Sequence, residues 1–472
     1  MKRFRLTAAS AIAFTAFAGS TLPAVAAPLD GSIDFTFGTN GRTVIGFDTA
    51  PANPMDLVLD TVVDGFGRVH LVGVVNTTHG QRIGIARLRS DGTLDENYGP
   101  DDVGLVVAPE QLGFSLTGVS AAFDAQGRLL VAGTLTTAGN DDFAVCRFTI
   151  DGALTAFPNG FQCVKVAFDL GGGNDDVLRG IAVQPDGRIV MAGSAHDTAS
   201  RDIAALARLD TNGNLDPDFG GDGRVILENG FGYGTSRLQA VAVAANGKII
   251  AVGEGGITLE SSTEAFVARI LANGGQDFAF GLGGFSPILR NSGRDGRLES
   301  VVLVPVANAG ADPRIVAVGA IESSVGSGLY DGLIAALLPN GLEDPGFSSD
   351  GVQIDSNGSN LVFSDVQRES NGNLVIAGTI RANSNPSTPL DFYVTRYASN
   401  GNRDTTQFNA PTGFRLIDFL QPGGSDTANA IALVDDRVII AGASLVSAGT
   451  PANLDFSVVA LVRDRIFANG VD

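Results

Sequence analysis

Past residue 26, apolar runs of five to eight residues rich in Val, Ile, Leu and Phe alternate with polar turns, and no stretch keeps the 3.6-residue period of an amphipathic helix. The pattern predicts strands throughout. Its clearest unit is Ile181 to Gly193, IAVQPDGRIVMAG, two short strands joined by a Pro-Asp-Gly turn. The unit occurs seven times, each copy closed by a glycine: Gly73, Gly133, Gly193, Gly253, Gly319, Gly378 and Gly442. The first three intervals are 60 residues and the last three are 66, 59 and 64, so insertions fall in the second half of the chain.

A second series lies downstream in each copy. Asp30-Gly31, Asp91-Gly92, Asp151-Gly152, Asn212-Gly213, Asn273-Gly274, Asn340-Gly341 and Asn400-Gly401 are turn dipeptides. Each is followed by an aromatic residue: Phe37, Tyr98, Phe157, Phe219, Phe280, Phe347 and Phe408. An aspartate stands three before the aromatic at Asp34, Asp95, Asp216, Asp277 and Asp344; Asp404 is four before, and Thr155 breaks the rule. Arg87, Arg147, Arg208, Arg269 and Arg396 precede the turns by four residues, with Ala336 in the fifth copy. A charge repeated so regularly reads as a joint between units, with those aspartates as the expected partners, rather than as a substrate contact.

Each copy is read as four strands; in the third they are Leu178 to Val183, Arg188 to Ser194, Asp202 to Leu209 and Arg224 to Leu227. Four antiparallel strands in about 60 residues, repeated seven times, predict an all-β, seven-bladed β-propeller. The split repeat supports closure. The chain after residue 26 starts with the second half of a unit, including an isolated strand from Arg42 to Phe47, while the last unit stops after its third strand, Phe456 to Val462. The N-terminal strand is therefore expected to pair with the last blade and close the ring. An open β-solenoid would not need the split.

The motif PDGRIVMAG followed by DIAALARLDTNGNLDPDFGGDGRV resembles the delta-60 repeat, found in tandem in secreted and surface-associated bacterial proteins. The resemblance covers nearly all of residues 27–463 and implies a propeller; it implies no shared catalytic activity. The chain departs from it at Asp312-Pro313 and Asp435-Asp436, which replace the Asp-Gly turn, and at Phe157-Pro158.

The first 26 residues read as a cleaved signal peptide. Lys2, Arg3 and Arg5 precede the uncharged run Leu6 to Ala18, and Ala24-Val25-Ala26 supplies the small-x-small cleavage pattern. The run is too short to span a bilayer as a helix, and no later stretch is long and apolar enough. The domain scheme is then 1–26 signal peptide, 27–463 one propeller and 464–472 a short tail. The expected location is periplasmic, extracellular or on the cell surface.

Cleavage removes three basic and no acidic residues, taking the formal charge from −20 to −23. Such a surface repels phosphate backbones, so nucleic acid is not an expected partner. In an exported chain the two cysteines, Cys146 and Cys163, are expected to form a disulfide, which on the loop-entropy scale constrains the unfolded chain by about 3 kcal/mol.

Catalytic signatures are scarce: HExxH, CxxC, GxxxxGK[ST] and GxSxG are all absent, as is tryptophan. Gly230 to Gly234 is glycine-rich without phosphate-loop spacing. His70 falls on a strand, where packing is the expected role, and His79 and His196 fall in loops. Asp210, Asn212, Asn214, Asp216 and Asp218 are spaced like a calcium loop but lack its central glycine and closing glutamate, so a turn role is favoured and no cofactor is expected.

The short glycine turns lie on one face of a propeller, which leaves the variable loops and blade connections to the other. Asp48, Asp56, Asp175, Asp176, Asp295 and Asp426 fall in those connections and are the candidate ligand-binding residues at the channel mouth. No catalytic or metal-ligating set is assigned. The expected function is a monomeric, non-catalytic binding scaffold for a protein, glycan or envelope component. The alternative is an extracellular hydrolase or lyase using carboxylates at the channel mouth.

Overall fold

The computed structural model describes residues 30–463 apart from 48, 50–54, 79, 110–118, 138, 172–174, 228–232, 258–261, 290–291, 307, 309, 357–359, 382–387, 420–423 and 448–452. The expected signal peptide and tail lie outside the described residues, as do Asp48 and His79. Twenty-eight strands form seven separate four-stranded antiparallel sheets, with no helix among the described residues. Together they make a seven-bladed β-propeller.

In the third blade the strands are Val177–Val183, Ile189–His196, Asp202–Leu209 and Arg224–Ile226, in that order across the sheet, each within two residues of the sequence expectation. Ring closure is as expected. Arg42–Ile45 forms the outermost strand of the last blade, pairing with Asn453–Val462 in the register Arg42↔Val459 to Ile45↔Phe456. The last strand begins three residues earlier than the sequence pattern indicates, because Asn453 to Asp455 already pair with the second strand ahead of the run that starts at Phe456.

The second and third strands of a blade are buried on both faces, as in Val69–Thr77 and Gly80–Leu88, because each sheet is sandwiched between two others. The core is accordingly divided into seven apolar clusters, one between each pair of neighbouring blades. Each buried Val, Ile or Leu in them contributes about 1.5–3 kcal/mol. The disulfide Cys146–Cys163 is present, linking the third and fourth strands of the second blade.

The two sequence series have distinct physical causes. In six blades the first strand carries a β-bulge, with the register slipping between Val58 and Asp60, Leu178 and Gly180, Leu238 and Ala240, Leu298 and Ser300, Phe363 and Asp365, and Ala428 and Ala430. The repeat-marking glycine sits opposite that bulge. A Cβ at Gly73 or Gly193 would lie 1.8 or 1.9 Å from the carbonyl oxygen of Leu57 or Val177, so only glycine fits. The Asp/Asn-Gly turns join the blades. Gly213 has φ +88° and packs its bare Cα on the Phe157 ring of the preceding blade, and the same contact recurs from Gly31 on Phe408 to Gly401 on Phe347.

Four of the five repeated arginines join blades; Arg147, whose blade has Thr155 in place of the aspartate, donates to the Ala156 carbonyl of its own blade. Arg208 Nε donates to Asp216 Oδ2 at 2.8 Å within its own blade, its guanidinium lies 4.7 Å from the Phe219 ring centroid, and its Nη1 donates to the Ala272 carbonyl of the next blade. Arg87 does the same with Asp95 and Ile150, Arg269 with Asp277 and Pro339, and Arg396 with Asp404 and the carboxylate of Asp30. Where Ala336 replaces the arginine, Arg314 of the neighbouring strand reaches Asp344 instead.

Candidate functional site

The bulge decides what faces the central channel. Inserting one residue into the innermost strand turns that residue out of the alternation, and the blades thereby offer a ring to the axis. Around it stand Leu59, Val119, Arg179, Gln239, Glu299, Ser364 and Asn429, one from each blade, which with Val362 of the sixth blade line a cavity of about 310 Å³. A second volume of about 150 Å³ continues along the same wall and adds the following residues of each blade, among them Asp60, Ser120, Ser300 and Asp365. Turns and blade contacts repeat around the molecule; this ring does not. Its chemistry runs from two apolar residues through arginine, amide, carboxylate and hydroxyl to a second amide.

The charged members are held unequally. Arg297 pairs with Glu299 at 2.5 Å, and Arg237, two residues before Gln239 on the same strand, pairs with Asp202 at 2.6 Å and Glu254 at 3.4 Å. Arg179 makes no hydrogen bond or ion pair among the described residues, and its Nε is buried without a partner. Burial lowers the basicity of Arg179, with the nearby carboxylate of Glu299 working the other way. Asn429 Nδ2 donates to the Val58 carbonyl at 2.7 Å, which fixes the amide and leaves its Oδ1 as an acceptor.

Asp60 and Asp365 line the channel wall and tie blades together. Asp60 Oδ2 accepts from Ala121 N–H at 2.8 Å and Ser120 Oγ–H at 3.1 Å; Asp365 accepts from Ser300 Oγ–H at 2.6 Å and Ile431 N–H at 2.9 Å. Surrounding protein pushes Asp60 up to about 7 and Asp365 to about 6, against the pull of those donors, and the charge of Asp365 adds to the rise at Asp60.

The sequence-predicted acidic residues occupy other places. Asp56, Asp176 and Asp426 are 2%, 1% and 1% exposed, and each accepts the backbone N–H of a phenylalanine in the crossing from the previous blade: Phe47 at 2.9 Å, Phe168 at 2.7 Å and Phe419 at 2.8 Å. Those phenylalanines pack on Phe456, Phe143 and Phe392 at 4.9–5.1 Å between ring centroids. Asp295 accepts from Thr263 N–H at 2.7 Å, and Asp175 is exposed. None of these five lines the channel cavity.

Asp426 does gather with Asp391 and Asp418, one carboxylate oxygen of each lying within 4.8 Å of the others, the set among the described residues that could hold a cation. Asp210 Oδ1 accepts from the backbone of Asn212 at 2.9 Å and Asn214 at 2.8 Å, a turn contact. His70 is buried, its Nε2 3.2 Å from Asp64 and its ring edge-on to Tyr98 and Phe123. His196 Nδ1 lies 3.1 Å from Asp202.

The ring escaped the sequence reading because its members share no chemistry. Their trace is positional: each precedes the repeat-marking glycine by 14 residues in five blades, from Leu59 before Gly73 to Ser364 before Gly378. A position that varies inside an otherwise regular repeat was the available clue.

Residues 67–98, 126–154, 184–219 and 369–406 match the family model described as Domain of unknown function (DUF5122) beta-propeller, which supports membership of a β-propeller repeat family. No curated protein matches the sequence. Among solved structures, the polysaccharide lyase Uly1 is similar at 11% identity and TM-score 0.47, over 90% of this chain and 93% of that one. Drosophila Semaphorin 2a is similar at 9% identity and TM-score 0.47, over 93% and 76%. The β-propeller domain of the Trilobed protease from Pyrococcus furiosus is similar at 8% identity and TM-score 0.42, over 89% and 99%. Likeness at this level transfers neither substrate nor partner.

Proposed function

We propose that the chain is an exported delta-60-repeat protein acting as a non-catalytic binding scaffold, and that it recognises a protein, glycan or envelope component at the end of its central channel. The observation that carries this reading is the ring from Leu59 to Asn429, seven unlike residues on a frame that is otherwise repeated seven times. The disulfide and the absence, among the described residues, of a helix able to cross a membrane are consistent with a periplasmic or extracellular location. In this reading Asp175 and Asp295 belong to the rim, while Asp56, Asp176 and Asp426 hold the blade crossings.

A glycan array probed with residues 27–472 tests it, alongside Gln239→Ala and Asn429→Ala. Binding that either channel substitution weakens about tenfold, the effect of losing roughly one hydrogen bond, is the expected result. Binding that ignores both and is lost on Asp175→Ala would place recognition on the loops and overturn the channel assignment.

The hydrolase or lyase reading draws on one observation: Asp60 and Asp365 share the channel wall and are both raised towards neutrality, as acid and base groups are. Against it, each carboxylate already has donors from its own and a neighbouring blade. Release of reducing ends or unsaturated products from polysaccharides, abolished by Asp60→Asn, would favour catalysis.

A further inference from the structure

We infer that the channel ring takes a uronic-acid sugar, its carboxylate on Arg179, its hydroxyls on the amides and Glu299, and its carbon face against Leu59 and Val119. This rests on the binding reading above and adds the ligand class. The argument starts from charge. Of the arginines on the first strands of the third, fourth and fifth blades, Arg237 and Arg297 are already neutralised, by Asp202 with Glu254 and by Glu299. Arg179 is left with a buried, unpartnered Nε on a strand whose bulge aims it at the axis. A buried polar group without a partner is costly, and a guanidinium presents its donors as a fork matched to a carboxylate.

The number of charges then limits the ligand. One free guanidinium balances one negative charge, whereas a phosphate dianion would also meet Asp60 and Asp365 on the adjoining wall. The rest of the ring excludes a fatty acid, because Gln239, Glu299, Ser364 and Asn429 offer hydrogen-bonding groups over four consecutive blades. Asn429 is already oriented by its bond to the Val58 carbonyl. Of the apolar lining residues, Val362 is on the sixth blade, while Leu59 and Val119 are on neighbouring blades next to that of Arg179, where they offer an apolar surface to the C–H face of a pyranose. The cavity of about 310 Å³ is at the small end of ligand sites, the size for a sugar unit rather than a folded segment.

Isothermal titration of residues 27–472 with D-glucuronate, D-glucose and acetate tests this. Saturable glucuronate binding, at least about tenfold tighter than glucose or acetate, supports the proposal. So does a loss of about tenfold or more in Arg179→Gln that Arg179→Lys partly restores, with unchanged circular dichroism. Equal binding of acetate would reduce the site to a carboxylate contact and overturn the sugar, and equal binding of glucose would overturn the role of Arg179. Absence of saturable glucuronate binding by the wild type overturns the proposal whatever the variants do. If a neutral glycan on the array then depends on Asn429, the ligand class falls and the recognition reading stands; if the array is also blank, both fall.

Discussion

The Arg208 guanidinium meets the Asp216 carboxylate at 2.8 Å with side chains only 3% and 5% exposed. Removing Arg208 leaves Asp216 the partly exposed Arg188, whose Nε lies 2.9 Å from the same carboxylate oxygen. Arg208→Ala is therefore expected to cost less than the roughly 3–5 kcal/mol of a fully uncompensated buried charge but more than about 1 kcal/mol. The double substitution Arg208→Ala with Asp216→Ala should cost clearly less than the sum of the single changes. Chemical denaturation of the four proteins checks this. Strict additivity would show that the repeated pair is not an energetic unit.

Asp176 and Asp175 are adjacent in sequence and opposite in setting. Burial, with the charges of Asp142 and Asp169, raises Asp176 to about 6, and its Oδ1 is buried without a partner. A carboxyl raised above its unfolded value of about 3.9 stabilises the fold fully below that value and loses this contribution as pH rises through about 6. Asp176→Asn keeps an acceptor for the Phe168 N–H without the charge. Its melting temperature should equal or exceed that of wild type at pH 8, and the advantage should vanish at pH 4. Asp175→Ala should change stability by no more than about 0.5 kcal/mol at either pH. A clear loss of stability in Asp176→Asn at pH 8 would contradict this account of the crossing.

The channel carboxyls should titrate near neutrality. With Asp60 at about 7 and Asp365 at about 6, both above the unfolded value, their joint contribution is present below about pH 4 and declines as pH rises to about 7. Because the charge of Asp365 raises Asp60, Asp365→Asn should lower the Asp60 pKa. Carboxyl-region infrared titration of wild type and variant measures this directly. An Asp60 that titrates near 4 in both proteins would show that the channel wall is as well solvated as an open surface.

Much of the architecture is readable from residue order because its causes are local. Gly187 with Arg188 makes a tight turn wherever it occurs, Gly193 is required by a carbonyl pressed on its Cα, and Gly213 by a positive φ under an aromatic ring. Each constraint acts over a few residues or between copies of one motif, so it repeats in sequence, and the repeat number with the split end gives seven blades and the closing strand. The inter-blade role of Arg208 follows from the same regularity.

Tertiary structure alone decides which of the non-repeating residues meet. Arg179 and Glu299 are 120 positions apart in sequence and share one cavity, because bulges in the first strands of different blades turn them onto the same axis. Asp176 shows the converse. Its composition and loop position suggested an exposed acidic mouth, but the crossing folds it inward onto the Phe168 N–H. An aspartate in a connection carries the same letter whether it faces water or closes a backbone hydrogen bond, and only the packing of the next blade settles which.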